Sequence, residues 1–139
     1  MKEIDSRLTN SYWALRILFG VVPIVAGLDK FFNLLTNWEQ YLSPLATKVV
    51  PLTPVAFMHV VGVIEIIAGL IVLTRTKLGS YVVMLWLLGI ALNLFTTGKY
   101  FDIAVRDVGL AVAAFTLAQL AEVCEREKVP YTQPATVRA

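Results

Sequence analysis

Eight residues of this chain put polar or ionisable side chains inside stretches that are otherwise apolar: Arg16, Asp29, Lys30, His59, Glu65, Asn93, Arg106 and Asp107. Their types suit three kinds of work. Carboxyl and imidazole groups can pass protons or hydrogen-bond the oxygens of a small molecule. Opposed charges can tie one helix to another, and an amide can glue backbones together. Other chemistries lack their parts. A single cysteine, Cys124, allows neither an intrachain disulfide nor a two-cysteine redox relay, and a single histidine argues against a histidine-built metal or haem site. No nucleotide-binding loop and no nucleophile–base constellation is present. The sequence carries no cofactor motif of its own. If the chain takes part in redox chemistry, its electrons come from a partner and it supplies a pocket or a dock.

The elements that position these residues belong in a bilayer. Of the 139 residues 58% are hydrophobic and 16% charged, with a mean hydropathy of +0.71. Soluble domains run at roughly 45–50% apolar and about 25% charged, and a chain this small has too much surface for its volume to hide the excess. A formal net charge of +2, with no basic run, speaks against a nucleic-acid partner. Four apolar stretches approach the roughly 20 residues needed to cross the hydrocarbon: Tyr12 to about Leu35, Pro54 to Thr74, Leu78 to Thr97, and Phe101 to Val123. The fold class expected is all-α, a four-helix transmembrane bundle over residues 1–124, followed by a polar tail over 125–139. Residues 36–50 are too polar to span. Trp38, Tyr41, Leu42, Leu45 and Val49 recur there at helical spacing, and Ser43-Pro44 can restart a short helix. This stretch reads as an amphipathic segment lying in the interface between the first two spans. Thr53-Pro54 opens the second span as N-cap and first-turn proline, Gly98 stops the third, and Asp102 favours the positive end of the fourth.

Depth gathers the polar residues. At about 1.5 Å per residue, Lys30, His59, Asn93 and Arg106 each lie about 6–8 Å inside the same face of the bilayer. Glu65 lies near the midplane, and Arg16 toward the opposite face, where it is expected to snorkel to headgroups. The polar groups fall on or near stripes of small residues, Gly20 and Gly27 on the first span, Gly62 and Gly69 on the second, Ala111 to Ala121 on the last. Such stripes let membrane helices approach closely. The expectation is therefore a polar cluster inside the bundle, Asp29, Lys30, His59, Asn93, Arg106 and Asp107 above Glu65. An Asp29 or Asp107 pair with Lys30 or Arg106 would tie the first span to the last. Glu65 is open to both a structural and a ligand or proton role.

The segments Gly27-Leu28-Asp29-Lys30-Phe31-Phe32 and Gly62-Val63-Ile64-Glu65-Ile66, with Arg106-Asp107 opening an Ala-rich last span, resemble the DoxX-like family of small integral membrane proteins. The resemblance runs from about Tyr12 to Ala121 and implies the same four-helix bundle. It also implies the bacterial inner membrane and functions of several kinds: quinone-linked dehydrogenase subunits, helpers in amine dehydrogenase maturation, membrane oxidoreductase complexes and chaperone-like roles. Two readings follow. One is an accessory subunit that docks or anchors another membrane or extracytoplasmic protein. The alternative is a site for a small quinone-like molecule with an outward-facing polar pocket. A small transporter is a third, without the inverted repeat such folds show.

Arg75 and Lys77 in the turn between the second and third spans, together with Lys2, Arg7, Arg126, Lys128 and Arg138, set the expected orientation: termini and this turn cytoplasmic, 36–50 outside. Lys48→Cys and Lys99→Cys should therefore react with an impermeant thiol reagent added to intact cells, and Arg75→Cys should not. The reverse pattern would invert the topology.

Overall fold

Prolines and small polar residues cut the apolar sequence into its helices. The computed structural model describes residues 6–127, and among them every regular element is helical. Helix α1 runs Ser6–Asp29; a single 3-10 turn follows at Trp38–Tyr41 and a short helix α2 at Pro44–Val49. The long helices α3 Pro54–Thr74, α4 Thr76–Thr97 and α5 Phe101–Glu127 complete the chain. α1, α3, α4 and α5 are long and apolar enough to cross a membrane. The expected caps are in place. The Thr53 side chain accepts from the Ala56 N–H, Ser43 accepts from Leu45, Pro44 and Pro54 occupy first-turn positions, and Gly98 closes α4 in the left-handed conformation at φ 70°.

Three features differ from the sequence reading. α1 stops at Asp29, not near Leu35, although Phe31, Phe32, Leu34 and Leu35 continue the apolar pattern. The Asp29 carboxylate accepts the Leu34 and Leu35 N–H groups at 3.0 Å, its carbonyl takes those of Phe32 and Asn33, and Asn33 turns the chain at φ 52°. A side chain that competes for backbone donors ends a helix. Residues 36–50 do not form one amphipathic face: Trp38 and Tyr41 turn inward, while Leu45 and Val49 point out. At the far end α5 continues past the expected boundary at Cys124 to Glu127; the rest of the expected tail, like Lys2, Lys128 and Arg138, lies outside the described residues.

The spans are arranged as two pairs. α1 lies on α3 and α4 on α5, and the two pairs close through the α3–α4 and α1–α5 contacts. α3 and α4 are joined by Arg75 alone, a link tight enough that a Cβ on Gly79 would fall on the backbone of Val72. The beginning of α1, the Arg75 link and the end of α5 share one end of the bundle, since Tyr12 donates to Thr76 and Lys77 pairs with Glu122 at 3.1 Å. The segment from Lys30 to Thr53 caps the other end.

Small residues fill the interior and large ones the exterior. Ala68, Ala114, Ala118 and Ala121 are buried with Phe19, Val72 and Leu117, whereas Ile17, Val22, Leu70, Leu85 and Val112 face out. A protein in water would aggregate through such a surface; one in lipid is solvated by it.

Glycines set the α1–α3 spacing. A Cβ on Gly62 would press on the carbonyl oxygen of Gly27 and the reverse holds, while one on Gly69 would meet the carbonyl of Gly20. The two pairs, each seven residues apart, meet in antiparallel register. Backbone atoms cannot step aside as a side chain can, so Gly62→Ala should cost about 1–3 kcal/mol through overpacking. Gly89→Ala, where a Cβ meets nothing, should be neutral or slightly stabilising. Equal thermal midpoints for the two variants in detergent would rule out the glycine contact.

Candidate functional site

The centre of the cap end is an ion pair. Lys30 Nζ lies 2.6 Å from Glu65 Oε2, and the side chains are only 4% and 9% exposed. Glu65 sits halfway along α3 and Lys30 just past the end of α1, so the lysine must reach down to it. The Gly27–Gly62 contact makes this possible. With no side chain on Gly62, the Lys30 Cβ rests directly against α3, and the stem runs one helical turn down to the carboxylate.

Two tryptophans close the pair. The Lys30 ammonium stands 3.7 Å from the centre of the Trp38 ring, a cation–π contact in a desolvated setting, where such contacts are worth about 2 kcal/mol. A long contact of 3.5 Å to the Ala26 carbonyl completes its surroundings. On the other side the Trp86 indole N–H donates to Glu65 Oε1 at 3.5 Å. Asp107 is buried on α5, where its carboxylate accepts from the neighbouring Arg106 guanidinium at 3.0 Å. Three of the spans or their ends thus contribute to the centre, Lys30 after α1, Glu65 on α3 and Trp86 on α4, and Trp38 joins them from the connector.

The cap is latched to this centre by side chains of the spans. Trp38, whose face covers Lys30, donates its indole N–H to Asp29 Oδ2 at 2.8 Å. Asp29 therefore holds three donors of the cap at once, two backbone and one indole. Asn93 does the same from α4: its amide donates to the Tyr41 carbonyl at 2.8 Å and accepts from the Ser43 N–H at 3.1 Å. The Thr96 hydroxyl donates to Ser43 Oγ, which is buried, and Tyr41 packs edge-on to Tyr100 at 4.8 Å.

Of the seven residues expected to cluster, then, Lys30 and Glu65 pair directly, and Asp107 is buried on α5 but bonds only its neighbour Arg106 among the described residues. Asp29 and Asn93 are buried or half-buried beside them but hold the cap; Asn93 glues the connector, not a neighbouring span. His59 stands aside, half-buried and stacked on Phe31 at 4.7 Å. Arg106 does not join. Its side chain is 64% exposed and pairs with its own neighbour Asp107 at 3.0 Å. Adjacent positions on a helix point about 100° apart, so with Asp107 inward Arg106 must face out. No α1–α5 salt bridge forms through these residues, because Asp29 is spent on the cap and Asp107 on Arg106. Arg16 also departs from expectation. It donates to the Leu73 carbonyl in the last turn of α3 and to the Tyr12 hydroxyl, and lies 4.8 Å from the centre of the Trp13 ring. A cation at a helix C-terminus meets the negative end of the dipole, a closer partner than a headgroup.

Trp38 and Trp86 are the residues that sequence reasoning did not place at the site. Trp86 shared a helical face with Asn93, and a buried indole N–H can only donate, which was a signal that an acceptor stood nearby. Trp38 suited a membrane interface equally well, and nothing in its spacing pointed to Asp29.

Removing one partner of a buried ion pair leaves a bare charge and typically costs about 3–5 kcal/mol, whereas replacing both by apolar groups is often neutral or better. Lys30→Met should lower stability by that amount, and Lys30→Met with Glu65→Leu should recover most of it. Arg126→Ala, which breaks an exposed contact with Glu122, should cost about 1 kcal/mol or less. Unfolding in mild detergent checks all three; a Lys30→Met variant as stable as Arg126→Ala would show that the pair is not closed.

Comparison with protein-family models, curated proteins and solved structures finds no match to this chain, so the DoxX-like resemblance stands on the short motifs around Asp29-Lys30, Glu65 and Arg106-Asp107.

Proposed function

We propose that this chain is an accessory protein of the bacterial inner membrane, both termini cytoplasmic, that docks or anchors a partner, within a membrane oxidoreductase or respiratory-type complex as the DoxX-like resemblance implies. The observation that carries the reading is the closure of the polar centre. Lys30 and Glu65 satisfy each other, Trp38 and Trp86 cover them, and both ends of the Asn93 amide are engaged by the cap. These groups are arranged to hold a shape. Work is then left to the surface, and the cap is the surface that the spans hold most deliberately. It bears a rim of outward apolar side chains, Phe32, Leu34, Leu35, Leu45, Val49 and Leu52, with Leu34 84% exposed. A protein partner on the same side of the membrane fits such a rim.

A second reading has one observation behind it. His59 stacks on the exposed ring of Phe31 at the edge of the α1–α3 pair, and this imidazole–aromatic step suits a planar quinone-like molecule entering from lipid.

Photo-cross-linking separates the two. A benzophenone amino acid at Leu34 or Val49 should give protein adducts of discrete mass in cells, while one at Leu85 on the α4 exterior should give lipid alone. If the cap positions give no protein adduct, and a quinone co-purifies with the native chain but not with His59→Leu, the second reading replaces the first.

A further inference from the structure

A groove at the link end of the bundle is separate from the polar centre. It is lined by Thr74, Arg75, Lys77, Leu78, Tyr81 and Glu125. Its position is that of a bilayer interface: α3 ends and α4 begins on either side of Arg75, and Tyr81, one turn deeper, packs edge-on to Phe115 and accepts a hydrogen bond from Gln119. Tyrosine is enriched at that level of a membrane.

The charges in and around the groove are unevenly committed. Glu122 is shared between Lys77 at 3.1 Å and Arg126 at 2.5 Å. Arg75 and Glu125 are exposed, and neither forms an ion pair among the described residues. One guanidinium and one carboxylate therefore line the same groove with their charges unspent, and half-exposed Lys77 adds a second cation beside Arg75. From the groove an apolar track leads away along one face of α4: Leu78, Leu85 and Leu92, seven residues apart, are 53%, 64% and 65% exposed. It spans about 21 Å at 1.5 Å per residue, close to the depth of a bilayer leaflet.

We propose that this groove holds one phospholipid whose headgroup carries both a phosphodiester and a primary ammonium. The phosphodiester takes the Arg75 guanidinium, a planar fork that matches two phosphate oxygens, with Lys77 beside it. The ammonium donates to the Glu125 carboxylate. One acyl chain follows Leu78, Leu85 and Leu92. A choline head has no N–H to give Glu125, and a glycerol head brings no cation to it, so this pairing of charges is also a selectivity.

The test uses the full chain in nanodiscs of equal parts phosphatidylethanolamine, phosphatidylcholine and phosphatidylglycerol, followed by native mass spectrometry of the lipids that stay bound. The native chain should retain phosphatidylethanolamine about tenfold over the other two, the ratio one charge-assisted hydrogen bond provides. Arg75→Gln should lose retention of all three. Glu125→Gln should keep a bound phospholipid but lose the preference, a result that stands even if Arg75→Gln proves unstable. Equal retention of the three lipids by the native chain, an unaltered preference in Glu125→Gln, or displacement of the bound lipid by millimolar inorganic phosphate would each overturn the proposal.

Discussion

An ammonium and a carboxylate in hydrocarbon must be closed off from everything but each other, and much of this molecule follows from closing Lys30 onto Glu65. Water cannot reach the pair to share the cost, so protein has to surround it. The surrounding is done in three steps. Two glycines remove the side chains between α1 and α3 so that the lysine can reach. Trp86 supplies a donor from α4. Trp38 then folds back from the connector and lays its ring over the ammonium. None of these steps is independent, since the lysine stem fits only where Gly62 lacks a side chain, and the ring has its place only where the lysine ends.

The same constraint explains why the opposite end of the bundle is built differently. There the one deep cation, Arg16, is answered by a helix terminus and a tyrosine, not by a carboxylate. The Leu73 carbonyl already lacks an intrahelical partner because α3 is ending. A guanidinium that fills that vacancy brings no second charge into the membrane and no repulsion to balance. The cap end does bring in a second charge, the Glu65 carboxylate, and answers it with Lys30.

Reading the sequence found the spans well because their signals are long and redundant. Proline, threonine and Gly98 marked ends that the structure keeps, and the cost of a midplane carboxyl singled out Glu65 without any neighbour being known. What sequence could not weigh was competition. Phe31 to Leu35 continue the apolar pattern of α1, and only the Asp29 carboxylate, by taking backbone donors five and six residues on, ends the helix there. The depth assigned to Lys30 assumed a longer helix, yet the residue is buried because the cap comes over it. Arg106 shared the right depth but not the right direction, since two adjacent residues on a helix cannot both face the centre. Asn93, expected to join helices, bonds the connector instead, whose path no periodicity describes.

The cap owes its shape to groups that belong to other elements. Asp29 ends α1, Asn93 and Thr96 stand on α4, and Lys30 is in position only when α3 has brought Glu65 beneath it. The 3-10 turn and α2 are too short to persist alone, because a single helical turn does not recover its own nucleation cost. The cap therefore depends for its form on spans that are already in place. It appears only once α1, α3 and α4 have been inserted and have met. A chain stalled with one span missing would display a different face at this end of the bundle, so the finished cap is itself a mark that the assembly is complete.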